Sequence, residues 1–198
     1  MEIFERAQHQ GLIGRATSAE REWRHAAEVA RELGDPGESR CLDLGTGGGL
    51  PGLVLASCWP ATTWVFVDRR RRSETLVAWA IEQLGIGERA TFRLGEAASL
   101  AREPALAGSF GLVVARAFGP PAVTVECATG FLGVGSRLVV TEPAGGDPAR
   151  WPAKPLGRLG LAVGRTATAP RFVQIVKVAP QEARFPRRTA AMQREPLY

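Results

Sequence analysis

Five glycines fall within the eight residues Gly45–Gly52, directly behind the short apolar run Cys41–Leu44. A run that enters such a cluster must turn sharply and expose backbone N–H groups at the mouth of whatever helix follows, as in the first strand-turn-helix unit of a parallel sheet. Pro51 stands where that helix, about Leu50–Cys58, would begin. From here the chain alternates apolar runs with helical stretches. Strands are expected at Thr62–Val67, Ala90–Leu94, Phe110–Ala115 and Arg137–Thr141, with helices at Arg72–Leu84 and Ala122–Leu132. Two further runs, Leu159–Thr168 and Arg171–Val178, are joined by too short a turn for a parallel crossover, so they form an antiparallel hairpin. The fold class is therefore α/β, a mostly parallel seven-stranded sheet ending in a hairpin. Upstream, Ser18–Leu33 reads as one helix, capped by Ser18 and stopped by Gly34.

The divisions that follow are a helical extension at residues 1–38, a main domain at 39–180 and a basic tail at 181–198. No apolar stretch approaches the roughly 18 residues of a membrane span, and Met1–Gln10 has no signal-like apolar centre. The expectation is a cytoplasmic monomer with no membrane contact. Three widely spaced cysteines, Cys41, Cys58 and Cys127, support neither a disulfide framework nor a metal site, so no metal is expected.

Charge is unevenly spread. Residues 1–40 carry 6 arginines against 8 carboxylates, whereas the other 158 carry 19 basic against 12 acidic side chains. Only Lys154 and Lys177 are lysines. The excess is thus arginine, which pairs with phosphate in a bidentate fork and stacks on bases, and a polyanionic partner is expected.

The glycine spacing at Gly47, Gly49 and Gly52 satisfies GxGxxG, a weak sign of dinucleotide binding on its own. The neighbouring acids are more informative. Asp43, two residues before Gly45, would repel a pyrophosphate and suits a ligand carrying an ammonium group; S-adenosylmethionine (SAM) is such a ligand. Asp68 ends the second strand, where an acid accepts the hydroxyls of a ribose. Gly95-Glu96-Ala97 after the third strand matches a turn that contacts adenine in many SAM enzymes.

These residues resemble the class I SAM-dependent methyltransferases, with their Rossmann-like sheet. More narrowly they resemble the RsmG (GidB) family, which methylates guanine N-7 in bacterial small-subunit ribosomal RNA. The narrower likeness rests on LDLGTGGGLPG, on VVARAFGPP at Val113–Pro121, and on the closing RFPRRTAAMQREPLY, and covers Cys41 to Leu197. It implies that Gly45 and Leu50 border the methionine part of SAM, with Gly47 in the same loop. Asp68 would hold the ribose, Ala97 and Ala98 would lie along adenine, and Arg116 would close the site and position the substrate. The implied partner is ribosomal RNA or the small ribosomal subunit. A methyltransferase of this fold acting on a small molecule, or a module that binds SAM or RNA without catalysis, remains open at this point.

The only histidines, His9 and His25, lie in the acidic extension, and no Ser-His-Asp or Cys-His set forms. Guanine N-7 needs none, because its lone pair is free and it has no proton to lose. Arg69-Arg70-Arg71-Arg72 precedes a helix, where the macrodipole disfavours cations. Together with Arg184, Arg187, Arg188 and Arg194 of the tail, it is expected to form a phosphate-binding rim.

Overall fold

The computed structural model describes residues 2–14, 18–142 and 147–198. Two helices, α1 (Glu2–His9) and α2 (Ala19–Leu33), lead into β1 (Arg40–Leu44), whose residues after Arg40 are all buried. Ser18 caps α2 by accepting from the backbone N–H of Arg21 at 3.2 Å. There follow α3 (Gly52–Cys58), β2 (Thr63–Asp68), α4 (Arg71–Gln83), β3 (Ala90–Leu94), α5 (Ala97–Leu100), β4 (Phe110–Arg116), α6 (Pro121–Phe131) and β5 (Leu132–Thr141). A 3-10 turn at Pro148–Arg150 and α7 (Ala153–Arg158) precede β6 (Leu161–Thr168) and β7 (Arg171–Lys177), and α8 (Thr189–Arg194) closes the chain.

The seven strands run in the order β3-β2-β1-β4-β5-β7-β6. β1 to β5 pair in parallel, while β7 is antiparallel to both β5 and β6. The order reverses between β1 and β4, which is where open α/β sheets bind ligands at their carboxyl ends. Expected and observed strands agree to within a few residues, except that β5 begins at Leu132 through an irregular pairing with Phe110. Pro51 stands just outside α3, as its N-cap.

Both faces of the sheet are covered. Leu42, Leu44, Val113 and Ala115 join one core with α5, α6, α7 and the chain end. Cys41, Leu112 and Val114 join the other with α2, α3 and α4. This period-two alternation fixes which layer the functional side chains enter. Asp43 and Arg116 share parity with Cys41 and Val114, so they turn toward the N-terminal helices.

The basic tail packs onto the main domain. Phe185 and Met192 are buried in the first core, and Leu197 packs against it. The short helices α1, α5, α7 and α8 were outside what periodicity over a few residues reveals. Among the described residues no helix is long and apolar enough to cross a membrane.

Candidate active site

Three glycines of the loop after β1 adopt left-handed backbone, with φ of 70° at Gly45, 56° at Gly47 and 92° at Gly49. The loop is held at several points: Thr46 N–H donates to the Val67 carbonyl at 2.9 Å, and Gly47 N–H donates to Asp68 Oδ2 at 2.9 Å. Behind it lies Asp43, fully buried, whose Oδ2 accepts from Thr46 Oγ1 at 2.7 Å and from Gly52 N–H at 3.0 Å. One carboxylate oxygen therefore ties the two ends of the glycine loop together. A Cβ on Gly52 would come within 2.5 Å of that oxygen, so the close approach requires glycine. Asp43 Oδ1 has no hydrogen-bond partner among the described residues. Burial pushes the carboxyl up to about 7, against the opposing pull of the Thr46 and Gly52 hydrogen bonds.

In front of the loop a cavity of about 620 Å³ opens at the carboxyl ends of the strands. Its size suits a nucleoside-sized ligand. Gly45, Asp68, Gly95, Glu96 and Ala97 line it, and the turn Ala117-Phe118-Gly119 forms one side. Ala117 has φ of 50°, a conformation unusual for a residue with a Cβ. The Phe118 ring presses on the loop so closely that a Cβ on Gly45 would lie 2.3 Å from its Cδ2. Gly45 is thus required twice, by its φ and by this contact.

Asp68 ends β2 with its side chain almost covered. Beyond Gly47 N–H, it accepts from Arg70 N–H and Nε through Oδ1 at 3.0 Å, and from Arg70 Nη2 through Oδ2 at 3.0 Å. Burial would raise this carboxyl, but the Arg70 and Gly47 hydrogen bonds outweigh it and hold it below the usual carboxylate range. Arg70 therefore engages both oxygens of this strand-end carboxylate. Glu96 accepts from Arg69 at 3.3 Å and from Thr189 Oγ1 at 3.3 Å.

Of the nine expected cofactor residues, the cavity gathers Gly45, Asp68, Glu96 and Ala97. Asp43 stands behind the loop, where it shapes the site without reaching the space a ligand would fill. Gly47 is one hydrogen bond removed, through Asp68. Leu50 and Ala98 are buried, at 5% and 3% exposure, in opposite core layers. Arg116 does not close the cavity. Its parity on β4 sends the guanidinium to Glu22 of α2, and its buried Nη1 finds no partner among the described residues.

The arginines also divide. Arg69, Arg71 and Arg72 are exposed at the start of α4, whereas Arg70 is drawn onto Asp68. In the tail, Arg184 bonds Glu182, Arg194 Nε donates to the Ala190 carbonyl, and Arg188 caps α8 through its backbone. Arg187 grips the buried Glu126, with Nε and Nη2 at 2.8 and 2.7 Å, so its fork is not presented to solvent phosphates. Residues unforeseen from sequence complete the cavity: Cys127 and Val123 of α6, and Thr189, Met192, Gln193, Pro196 and Tyr198 of the tail. The only sequence signal for the latter was the closing motif itself.

Residues 2–142 match the family described as rRNA small subunit methyltransferase G. The chain belongs to that family. The match begins in α1, so the N-terminal helices are part of the RsmG pattern, although the sequence motifs began at Cys41. A protein named ribosomal RNA small subunit methyltransferase G from Synechococcus sp. (strain CC9311) is 35% identical over 99 residues, covering 50% of this chain and 39% of its own. The Parasynechococcus marenigrum (strain WH8102) protein of the same name is 28% identical over 176 residues, covering 84% of this chain and 71% of that one. This chain thus spans only part of these RsmG relatives. The solved structure of the O-methyltransferase TomG from Streptomyces achromogenes shares the fold at a TM-score of 0.58 and 16% identity, over 90% of this chain and 91% of that one.

Proposed function

We propose that the protein transfers a methyl group from SAM to N-7 of a guanine in small-subunit ribosomal RNA. The observation that carries this reading is the cavity itself. A left-handed glycine loop, a strand-end carboxylate and the Gly95-Glu96-Ala97 turn converge on one space at the switch point of the sheet, in a chain of the RsmG family. The residues present fit SAM: Gly45 and the Phe118 ring packed on it form the loop side of the cavity, and Asp68 is an ionised acceptor for ribose hydroxyls.

When bound, SAM supplies an electrophilic sulfonium methyl. The work left to the protein is positional, since N-7 has its lone pair free and yields no proton. The side chains agree with chemistry that needs no general base. The described cavity residues include no histidine or lysine. Asp68 is held ionised by Arg70 and Gly47, and Glu96 is engaged by Arg69 and Thr189. Cys127 faces the same space, but burial, aided by Glu126 and Glu96, pushes its thiol up to about 12. It is a thiol at neutral pH, which argues against a cytosine-type reaction that needs a thiolate. The Phe118 ring beside Gly45 offers an apolar surface next to the methionine end.

The test is methyl transfer from labelled SAM to unmethylated small ribosomal subunits and to their naked RNA, followed by nucleoside mass spectrometry. A new 7-methylguanosine that disappears in Asp68→Ala supports the reading. SAM binding without transfer to either RNA substrate overturns the RNA assignment and moves the search to small-molecule acceptors.

A further inference from the structure

The segment after β7 is basic; Arg184, Arg188 and Arg194 are exposed, whereas Arg187 is turned inward and holds the segment in place. Glu126, on α6, is 1% exposed and accepts from Arg187 three times: from its backbone N–H at 2.8 Å, from Nε at 2.8 Å and from Nη2 at 2.7 Å. The remaining arm, Nη1, donates to the Glu195 carbonyl at 3.0 Å, just beyond α8. One guanidinium thus joins α6 to both the entry and the exit of α8. Arg102 fixes the Pro186 carbonyl, and Met192 packs its sulfur 3.9 Å from that of Cys127.

Held in this way, the segment gives Thr189, Met192, Gln193, Pro196 and Tyr198 to the cavity wall. Its place along the cavity is fixed by Thr189, which reaches Glu96 in the turn after β3. Strand order sets that turn, after β3, beyond β2 from Gly45 and Phe118, which follow β1 and β4, and Gly95 N–H donates to the Asp68 carbonyl at 3.0 Å. A thioether, a proline and a phenol ring offer apolar surface, and the Gln193 amide is both donor and acceptor, which is the combination a purine face and edge require.

We propose that residues 187–198 form the adenosine-facing wall of the cavity, held by the Glu126–Arg187 clasp, so that this segment is a cofactor-binding element. The inference rests on reading the cavity as a SAM site. Gln193 and Tyr198 would touch the ligand; Glu126 and Arg187 are positioning residues that act through α8.

The experiment is calorimetric titration of the full chain with S-adenosylhomocysteine and with 5′-methylthioadenosine, which keeps the adenosine end and lacks the amino acid. Gln193 and Tyr198 are both exposed, so the double variant Q193A/Y198A keeps the fold and reports on the wall directly. It is expected to bind both ligands at least tenfold more weakly, with RNA affinity and its salt dependence unchanged. Arg187→Ala is expected to weaken both ligands as well, and Arg187→Lys to recover part of the loss. If Q193A/Y198A binds S-adenosylhomocysteine within twofold of wild type, the proposal fails. It also fails if only S-adenosylhomocysteine is affected, because the wall would then face the amino-acid end. Arg187→Ala that lowers RNA affinity and its salt slope while sparing both ligands would make this segment a nucleic-acid arm instead. Wild-type protein that binds neither ligand overturns the SAM reading itself, an outcome visible before any variant is made.

Discussion

Asp68 and Asp43, both strand-end acids near the same loop, are put to opposite uses by their surroundings. Asp68 is ionised and covered by Arg70, and a ribose that bonds it must displace that guanidinium. Arg70→Ala should therefore bind S-adenosylhomocysteine more tightly, by about fivefold if the displaced contact is worth about 1 kcal/mol. Calorimetry decides it, and weaker binding would show that Arg70 holds the ligand instead. Asp43 is raised from 3.8 to about 7 by burial. Between these values the folded state retains a proton that the unfolded chain has lost, so stability falls as pH rises through this window and levels off above it. Asp43→Asn keeps one carbonyl acceptor for Thr46 and Gly52 and cannot titrate. Its denaturant midpoint should vary less between pH 4 and 7 than that of wild type, and parallel curves would rule out Asp43 as the source of the slope.

The elements themselves were largely written in the periodicities. Strand β1, the glycine loop and α3 follow from an apolar run entering glycines, and the hairpin from two runs too close for a crossover. What periodicity missed is instructive. α8 is six residues long, too short to show a helical face, and its contacts, among them a buried ion pair 61 residues apart in sequence, are ones no local pattern encodes. The placement of Arg116 was legible in principle. Counting alternate residues along β4 from the apolar Leu112 and Val114 puts it on the α2 side, whereas family likeness alone put it in the cofactor site. At the start of α4, Arg71 and Arg72 sit exposed at the positive end of the helix, next to the buried Ser73. If these arginines meet phosphate, Arg71→Ala and Arg72→Ala should each weaken RNA binding and lower its salt slope by about 1, without change in S-adenosylhomocysteine affinity. Filter binding across a salt series measures both, and an unaltered slope would remove α4 from the RNA surface.

Across the whole molecule the sheet separates two layers with different roles. One, with α5, α6 and the chain end, walls the cavity; the other, with α1, α2 and α3, braces the glycine loop from behind. The bracing is tight. A Cβ on Gly48 would lie 2.6 Å from Ile13 and 2.8 Å from Ala7, and one on Gly47 3.3 Å from the Leu12 carbonyl. Gly48→Val should then push the N-terminal segment away and lower stability by about 1–3 kcal/mol, the usual cost of overpacking. A urea melt gives the value, and an unchanged midpoint would mean that α1 yields without loss. This packing couples the first helix directly to the glycine loop. Anything that tugs on α1 or the turn after it, such as a fused tag, is felt first at Gly47 and Gly48, and a distant extension becomes a handle on the glycine loop.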